Sequence, residues 1–484
     1  MKHFLAMSRK KKIIVSILCL LALYLIYLIL GATLPFLGSP DVSQHYKDSF
    51  NISKFYGDAE GVDRACVIES SQDALDIRLH MIEQAQEELA ISSFSIKADR
   101  SCREITSALY AAAKRGVNIK IIVDGLTGTI DMKDDIMYYA LGSHPNVEIR
   151  YYNTLNLLKP WTVNGRLHDK YILVDHKLLL LGGRNISNYF LGEYNLNVLS
   201  YDRDIFVYNT AFDSDHRDDS VITQVWDYFD KIWDCEYSKT VFNSKKYTKK
   251  VLASTVSLEN EYESLKKDRP ELFKAVDYTI ITVPTNKITL ISNPIHIMTK
   301  EPYVWYELTQ LMRNAKKRVY IHTPYAVLNG DMYDELTRIN ELVPDVQMLI
   351  NSRAGGDNFC ASSDYTLNKK KLLKTGIQIH EFQGDHSMHD KSLLIDDDIS
   401  VIGSYNLDMR STYLDTEVML VVHGTEFNQQ LQSCIDAMEA QSLPVLPDGS
   451  YGTNGDVIPL TMSTGKKMLF GISSVVFQLF RYLL

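Results

Sequence analysis

The sequence predicts an α/β fold made of two similar halves, carried on an N-terminal membrane anchor. Predicted helices and strands alternate in the same order twice, and four polar residues recur at identical spacing 221 residues apart. An 18-residue run without charge lies near the N-terminus. With 484 residues, 45% of them apolar, the chain can bury a large core, as two domains or one double-sized domain with an internal repeat.

Residues 13–30 form the apolar run and directly follow Arg9, Lys10, Lys11 and Lys12. A run of this length can cross a membrane, and basic residues before it favour an N-terminus on the inside. Residues 31–40 offer no convincing signal-peptidase site. We therefore expect a cytoplasmic basic stub and retained transmembrane anchor over 1–38, a linker over 39–64, and a catalytic body on the outer side of the cell membrane. A cleaved or inverted segment is the alternative.

The body shows one order of elements twice, and alternating helices and apolar strands indicate an α/β layered fold. Each half is predicted as helix, strand, helix and strand, followed by a repeated polar motif. The four elements lie at 71–88, 89–96, 102–115 and 118–125 in the first half, and at 303–316, 318–325, 331–342 and 345–352 in the second. We place the halves at 65–255 and 291–445, with a connector over 256–290.

The repeated motif is a tetrad of His, Lys, Asp and Asn. It comprises His168, Lys170, Asp175 and Asn185 in the first half, and His389, Lys391, Asp396 and Asn406 in the second. Two short apolar runs lie within each copy and end at a glycine pair or Gly-Ser, which predicts a hairpin-like unit with its chemistry at the ends. One copy would be a weak signal, but the repeat is a strong one.

The spacing suggests how the tetrad divides its work. On an extended strand, His and Lys at i and i+2 point to the same face, whereas the Asp seven residues after the His points to the other and has a supporting role. Two Lys and two Asn from the two halves would bind the non-bridging oxygens of a phosphodiester. The glycines allow a tight turn or a close approach to an anion. Neither a metal nor another cofactor is expected, since no compact Cys/His or carboxylate cluster appears.

Two histidines in one phosphate pocket suit two-step covalent catalysis, in which one attacks phosphorus and the other protonates the departing oxygen. Both start from a pKa of about 6.5, so carboxylate partners are expected to separate them. Asp204 and Glu417 follow their Asn residues at comparable points, and each leads into an apolar run. We predict that they orient the imidazoles.

The double motif resembles the phospholipase D superfamily, and residues 403–417 resemble its bacterial cardiolipin synthase branch, over roughly residues 65–445. The matching residues are Asn406, Leu407, Asp408, Arg410, Ser411, Leu414 and Glu417, whereas Asp415 stands where Asn is usual. The resemblance implies two halves, each a mixed sheet flanked by helices, about a pseudo-two-fold axis. It also implies a phosphatidyl-histidine intermediate with His168 as nucleophile and His389 as acid and base. Gly183, Ser404, Arg410 and Ser411 are candidates for lining the site, although structural pairing is equally open for Arg410 and Ser411.

Two further segments have apolar surfaces. After a linker over 446–464, residues 465–484 predict an amphipathic helix with a narrow polar stripe, formed by Lys467, Gly471, Ser474, Gln478 and Arg481. This helix either lies in the membrane interface or caps a groove of the body. The insertion at 155–165, just before His168, is either a lipid-facing rim or a packed loop.

These observations predict a membrane-anchored phosphatidyl transferase of the cardiolipin synthase type, with phospholipid substrates and phosphatidylglycerol or phosphatidylethanolamine as donor. The alternative is a phosphodiesterase that hydrolyses phospholipid or nucleic acid. A net charge of -9 argues against nucleic acid as a partner. Whether a protein partner is needed stays open.

Overall fold

We describe a computed structural model of the chain that covers residues 8–243 and 248–484. Two large mixed sheets form the body, of nine strands in the first half and eight in the second. The strands are β1 Asp63–Ile68, β2 Glu88–Ser93, β3 Asn118–Asp124, β4 Val147–Tyr152, β5 Tyr171–Val174, β6 Leu178–Gly182, β7 Ser200–Tyr201, β8 Asp204–Asn209, β9 Ser238–Val241, β10 Val283–Pro284, β11 Lys287–Ser292, β12 Arg318–His322, β13 Ala326–Val327, β14 Asp345–Asn351, β15 Gln378–Phe382, β16 Ser387–Met388, β17 Ser392–Ile395, β18 Ile399–Gly403, β19 Leu407–Asp408, β20 Val418–His423 and β21 Ser442–Pro444.

The helices flank these sheets or lie at the two ends of the chain. They are α1 Arg9–Thr33, α2 Gln44–Ser49, α3 Ser71–Gln84, α4 Arg100–Arg115, α5 Gly125–Asp131, α6 Ile136–Gly142, α7 Val221–Asp234, α8 Lys249–Asp268, α9 Tyr278–Ile281, α10 Tyr303–Asn314, α11 Gly330–Leu342, α12 Phe359–Leu373, α13 Met409–Tyr413, α14 Thr425–Glu439 and α15 Thr464–Phe477. A 3₁₀ turn, Gln478–Leu483, follows α15.

The two sheets repeat one topology, which confirms the predicted α/β fold with an internal repeat. The first sheet has the order β10-β1-β8-β6-β5-β2-β3-β4-β9, and the second β11-β20-β18-β17-β12-β14-β15-β21. In each, three strands run parallel (β2, β3 and β4; β12, β14 and β15), and an antiparallel hairpin carrying the motif joins their edge. The parallel strands need crossover connections, and α4 and α11 supply them.

Local sequence explains where these crossover helices begin and end. Asp99 caps α4 by accepting a hydrogen bond from the Cys102 backbone N–H, and Asn329 caps α11 through the Met332 N–H. The chain leaves α4 at Gly116, whose φ of 105° lies in the left-handed region that favours glycine.

A shared core joins the halves. Val225 and Phe229 from α7 lie in one buried cluster with Leu431 and Ile435 from α14, together with strand residues of both sheets. Two further cores, one per half, fill the outer faces. The halves therefore fold as one body with the motif hairpins near its centre.

Residues 256–290, predicted as a connector, are largely structured. The segment from 259 to 268 belongs to α8, which packs on the first half through a Lys114–Glu259 ion pair of 2.6 Å and a Tyr262–Glu83 hydrogen bond of 2.7 Å. The charged residues that hid its periodicity are thus the exposed face of a docked helix.

Helix α1 exposes an apolar surface along its whole length. It is the one helix among residues 8–243 and 248–484 that is long and apolar enough to cross a membrane, judged by length and composition. At the other end of the chain, α15 and the turn after it form the predicted amphipathic segment.

Candidate active site

The two motif hairpins, β5–β6 and β17–β18, place His168 and His389 just before their first strands. Each histidine is positioned by the opposite half of the chain. The His168 backbone N–H donates to Thr416 Oγ1 at 3.1 Å, next to a bridge between Leu167 and Thr416. The His389 N–H donates to the Tyr201 carbonyl at 2.7 Å, where β16 pairs with β7. The halves therefore meet at the histidines.

Both imidazoles bind a carboxylate across this junction. Glu417 Oε1 lies 2.8 Å from His168 Nδ1, and Asp202 Oδ2 lies 2.7 Å from His389 Nδ1. Both carboxylates are buried. Because Nδ1 is occupied in each ring, Nε2 is the nitrogen left for chemistry.

The predicted orienting role of Asp204 is wrong. Asp204 forms buried ion pairs with Arg78 at 3.0 Å and Arg184 at 3.2 Å. In the hairpin ladder, the Gly183 N–H donates to the Arg203 carbonyl, and the Ser404 N–H donates to the Val418 carbonyl. Arg203 and Val418 are thus equivalent, and so are their preceding residues, Asp202 and Glu417.

The lysine of each tetrad lies beside the histidine of the same tetrad. Lys170 and Lys391 are buried, and each Nζ donates to the backbone carbonyl of its own motif histidine. Lys391 Nζ is also 2.8 Å from His389 Nδ1. Burial, together with Lys391, lowers the pKa of Lys170 to about 7, although Glu417 opposes the shift. Burial likewise lowers the pKa of Lys391.

The charges of the two halves act on one another. Burial and Lys170 lower the pKa of His168 well below its usual value, and Lys391 and His389 lower it further. Burial and Lys391 lower the pKa of His389, but Asp202 partly restores it. Burial raises the pKa of Glu417 to about 8. Burial alone would raise the pKa of Asp202, but Lys391 and His389 outweigh it and lower that pKa.

The two motif asparagines differ in their surroundings. Asn185 Oδ1 accepts a hydrogen bond from the Ser95 N–H at 3.2 Å, which leaves its amide N–H groups for another acceptor. Asn406 is buried, and its Oδ1 has no partner among residues 8–243 and 248–484. Both amides keep free hydrogen-bonding capacity.

The motif aspartates lie at the far ends of the hairpins, away from the histidines. Asp175 accepts hydrogen bonds from the backbone N–H groups of residues 86–88 at 2.7–2.9 Å, and Asp396 accepts them from residues 316–318 at 2.7–3.2 Å. Their φ angles of 51° and 50° close the hairpin turns. Neither aspartate contacts a motif histidine or lysine, so both have the supporting role that strand geometry indicated rather than a catalytic one.

Three of the four candidate lining residues contact the site carboxylates. A Cβ at Gly183 would overlap the Asp202 carboxylate, and Ser404 Oγ donates to Glu417 Oε2 at 2.5 Å. Ser411 Oγ accepts from the Asn406 N–H at 3.3 Å, and its hydrogen bond to Glu417 favours the ionised form of that carboxyl group. Arg410 instead bonds Asn164 Oδ1 at 3.4 Å and Asp415 at 3.4 Å, beside the C-terminal residues. The glycine therefore makes room for a carboxylate rather than for a tight turn.

Sequence reasoning missed Asp202, Phe94 and Phe190. The Phe94 ring lies 5.2 Å from the His168 ring, and the Phe190 ring 5.0 Å from the His389 ring. No signal in a single sequence separates these phenylalanines from core residues. For Asp202, the tripeptide Asp-Arg-Asp at 202–204 offered two carboxylates, and an alignment of the strands β8 and β20 would have been needed to choose between them.

The described ranges contain no group of three His, Cys, Asp or Glu residues that could hold a metal ion. The site therefore consists of two imidazoles, two ammonium groups, two carboxyl groups and two amides. Such a set can bind an anion and pass protons around it.

Comparison with known protein families gives a match to the cardiolipin synthase, phospholipase D-like domain over residues 79–233 and 308–438. The chain belongs to this family. Each matched segment contains one copy of the motif, and the two segments together cover more than half of the chain.

Two of the similar proteins are named cardiolipin synthases. Cardiolipin synthase C of Escherichia coli (strain K12) is 26% identical over 400 residues, which cover 75% of this chain and 82% of that protein. Cardiolipin synthase 1 of Staphylococcus aureus (strain MRSA252) is 25% identical over 366 residues, covering 74% and 64%. Among solved structures, a phosphatidylserine synthase from Haemophilus influenzae Rd KW20 has the same fold, with a TM-score of 0.62 and 15% identity over 87% of this chain and 95% of that one.

The predicted family, fold class and enzyme class are thus confirmed. The chain is a phospholipase D superfamily enzyme of the cardiolipin synthase-like phosphatidyltransferase type. Together with these relatives, helix α1 indicates association with a membrane.

Proposed function

We propose that this family member is a membrane-anchored cardiolipin synthase that transfers a phosphatidyl group from phosphatidylglycerol, or another phospholipid, to phosphatidylglycerol through a phosphatidyl-histidine. One observation carries the proposal. Each motif histidine holds a buried carboxylate from the other half on Nδ1, so two Nε2 atoms are free beside two lysines.

In the first step, Nε2 of His168 attacks phosphorus and the bond from phosphorus to the glycerol head group breaks. His389 donates its proton to the departing glycerol oxygen. Neutral His168 suits the attack, because burial and the lysines keep its pKa low. The Asp202 carboxylate stabilises the imidazolium form of His389, which suits the acid.

In the second step, a hydroxyl of the second phosphatidylglycerol gives its proton to His389 and attacks the phosphatidyl-histidine. The phosphorus–nitrogen bond breaks, cardiolipin leaves, and His168 is regenerated. Lys170, Lys391, Asn185 and Asn406 are assigned to the non-bridging oxygens. A bound phosphodiester adds negative charge among these cations and raises the pKa of both lysines and of His389.

Basic residues at 9–12 begin α1 and precede its apolar run at 13–30, which supports a single-pass topology with the N-terminus inside and the body outside. The substrates would then be lipids of the outer leaflet of the same membrane.

The test is incubation of the purified, full-length protein in detergent with labelled phosphatidylglycerol, with and without EDTA, followed by mass spectrometry of the lipids. Cardiolipin and free glycerol, unaffected by EDTA, are expected. Phosphatidic acid alone would identify a hydrolase instead, and release of nucleotides from nucleic acid but no lipid product would identify a nuclease. A phosphatidyl adduct on the peptide that contains His168 is the expected trapped intermediate.

A further inference from the structure

Two apolar surfaces outside the anchor helix are not used by the proposed chemistry. One is the loop at 155–158, in which Leu155, Leu157 and Leu158 are 45%, 56% and 75% exposed. The other is the outer face of α15 and its turn, where Met468, Ile472, Val475 and Leu479 are 60–71% exposed. Isolated exposed apolar residues are ordinary, whereas a continuous patch marks a contact surface.

The loop lies against the membrane-spanning part of α1. Tyr24 Oη donates to the Leu157 carbonyl at 2.9 Å, and Tyr27 Oη donates to the Leu158 carbonyl at 2.7 Å. With a rise of about 1.5 Å per residue, these tyrosines lie roughly 9 to 14 Å below the end of α1 at Thr33. The exposed leucines are therefore at the depth of the anchor's apolar run.

The C-terminal segment docks through Ser474, Gln478 and Arg481 of its polar stripe together with Phe470, whereas Lys467 and Gly471 are exposed. Arg481 Nε and Gln478 Nε2 donate to the buried Asp364 of α12 at 2.7 and 2.8 Å, and Phe470 packs on Phe359 with 5.1 Å between ring centroids. The polar side thus caps the body and the apolar side faces outward. The sequence left two alternatives for this helix, capping a groove of the body or lying in the membrane interface. The first describes its docked face, and the second concerns its outer face.

A series of contacts places the end of this segment beside the anchor. The Leu484 carbonyl accepts from the Arg410 N–H at 2.9 Å, and the Arg410 guanidinium bonds Asn164 Oδ1. Asn164 Nδ2 in turn donates to the Ala32 carbonyl of α1 at 2.7 Å. At the other end, Lys466 Nζ donates to the Ala354 carbonyl, three residues before Asp357, whose charge acts on His389. The segment therefore runs from the His389 side of the site to the outer end of the anchor.

We propose that the loop 155–158 and the outer face of α15 are embedded in the acyl chains of the leaflet in which the outer end of α1 lies. The depth of Tyr24 and Tyr27 and continuity with the anchor select lipid as the occupant. With 14 residues, α15 is about 21 Å long and too short to span, so it lies along the leaflet. Lys467, which is exposed at its start, is placed to reach the head groups.

The experiment uses full-length protein in nanodiscs of phosphatidylglycerol and phosphatidylethanolamine, in a Cys19→Ser background that removes the exposed thiol of the anchor. Spin labels are attached to Leu158→Cys and Val475→Cys, with Leu21→Cys in the anchor and the exposed Asp215→Cys as references. Oxygen partitions into lipid and a nickel complex into water. The oxygen-to-nickel accessibility ratio at 158 and 475 is expected to lie well above that at 215 and to approach that at the deeper position 21.

A ratio equal to that at 215 for either position would overturn the proposal for that surface. Low accessibility to both reagents with dipolar broadening between labelled copies would show that a second copy covers the face, which also overturns it. As a check without substitutions, lipids carrying a diazirine on the acyl chain should label peptides from 154–163 and 464–480 in the unmodified protein. No readout requires turnover, so failure here is separate from failure of the proposed reaction.

Discussion

His168 and His389 occupy equivalent positions in the two halves, yet the carboxyl groups around them differ. His168 binds Glu417, whose pKa is raised to about 8 by burial. His389 binds Asp202, whose pKa is lowered by Lys391 and His389 in spite of burial. Burial therefore disfavours the ionised form of the carboxyl group beside the first histidine, whereas the carboxyl group beside the second stays ionised at neutral pH.

The aspartates inside the His-Asp-Lys triplets show the same contrast. Asp390 is paired with Arg203 at 2.8 Å and lies 3.3 Å from His322, and the Arg203 guanidinium holds the pKa of Asp390 well below the usual range although burial opposes it. The Asp169 carboxyl group accepts a hydrogen bond from the Tyr228 hydroxyl at 3.1 Å and has no ion-pair partner among the described residues. Burial and Glu417 raise its pKa to about 7.

The difference traces to a residue outside the motif. Arg203 pairs with Asp390 from the opposite half, and the residue equivalent to Arg203 is Val418, which cannot pair with Asp169. Identical motifs therefore acquire different electrostatics from their neighbours. The ionised Asp202 favours the imidazolium form of His389, which suits the acid, and the low pKa of His168 keeps that imidazole neutral, which suits the nucleophile.

Replacement of the histidines should have the largest effect. His168→Ala and His389→Ala are each expected to abolish turnover of phosphatidylglycerol, since loss of acid–base catalysis alone costs about 10²- to 10⁴-fold. A phosphatidyl p-nitrophenol substrate separates the two variants, because its leaving group needs no proton. His389→Ala should release one burst of p-nitrophenol per enzyme, and His168→Ala none. The reverse pattern would exchange the two roles.

The next largest effect concerns stability, measured as the free energy of unfolding in detergent. Asp390→Asn should lose about 3 kcal/mol, near the lower end for breaking a buried ion pair, because Arg203 still binds Glu69. Asp169→Asn near pH 6 should lose about 1 kcal/mol or less, since no buried charge is removed. Equal losses would contradict the contrast between the two halves.

The same pair of variants should alter the pH dependence of stability with opposite signs. The raised pKa of Asp169 gives stability that is present below its unfolded value of 3.8 and is lost as pH rises toward about 7. The lowered pKa of Asp390 gives stability that is present above 3.8 and is lost as pH falls below it. Asp169→Asn should remove the fall in the free energy of unfolding at rising pH, and Asp390→Asn should remove the fall at acid pH. Each variant should leave the other pH dependence unchanged.

A smaller effect is expected for the partner of the acid. Asp202→Asn removes the carboxylate that raises the pKa of His389, so the alkaline limb of the kcat/KM profile should move to lower pH, with kcat reduced at least about tenfold. Asp204→Asn is the matched control, two residues away. It should weaken the ion pairs with Arg78 and Arg184 and thus the free energy of unfolding, with the alkaline limb unmoved. A shifted limb in the control would restore a role for Asp204.

The smallest effect on catalysis is expected at the turn of the first hairpin. Asp175→Asn weakens hydrogen bonds from three backbone N–H groups, at a cost of about 1–3 kcal/mol in the free energy of unfolding. The kcat/KM of the folded protein should stay unchanged, because Asp175 lies at the far end of β5 from His168. A fall in kcat/KM at constant stability would return Asp175 to the site.

The fold and the motif hairpins were predictable from local pattern. Short apolar runs that alternate with helices identify strands such as β3 and β14, and the repeat in order identified two halves. Asp202 was not predictable in this way. The segment from Asn185 to Asp202 is longer than that from Asn406 to Glu417, and only the hydrogen-bonded register of β8 and β20 shows which carboxylate reaches an imidazole.

The sequence by itself determined the α/β repeat, the two tetrads, the apolar anchor and the amphipathic character of the C-terminal segment, because each depends on the spacing of residues along one strand or helix. The tertiary structure decided which carboxylate serves which histidine, the ion pair between Arg203 and Asp390, and the face by which α15 docks. Those features join residues that lie 100 to 250 positions apart, as His389 and Asp202 do. Their energies depend on burial and distance, which exist only once the two halves are packed together.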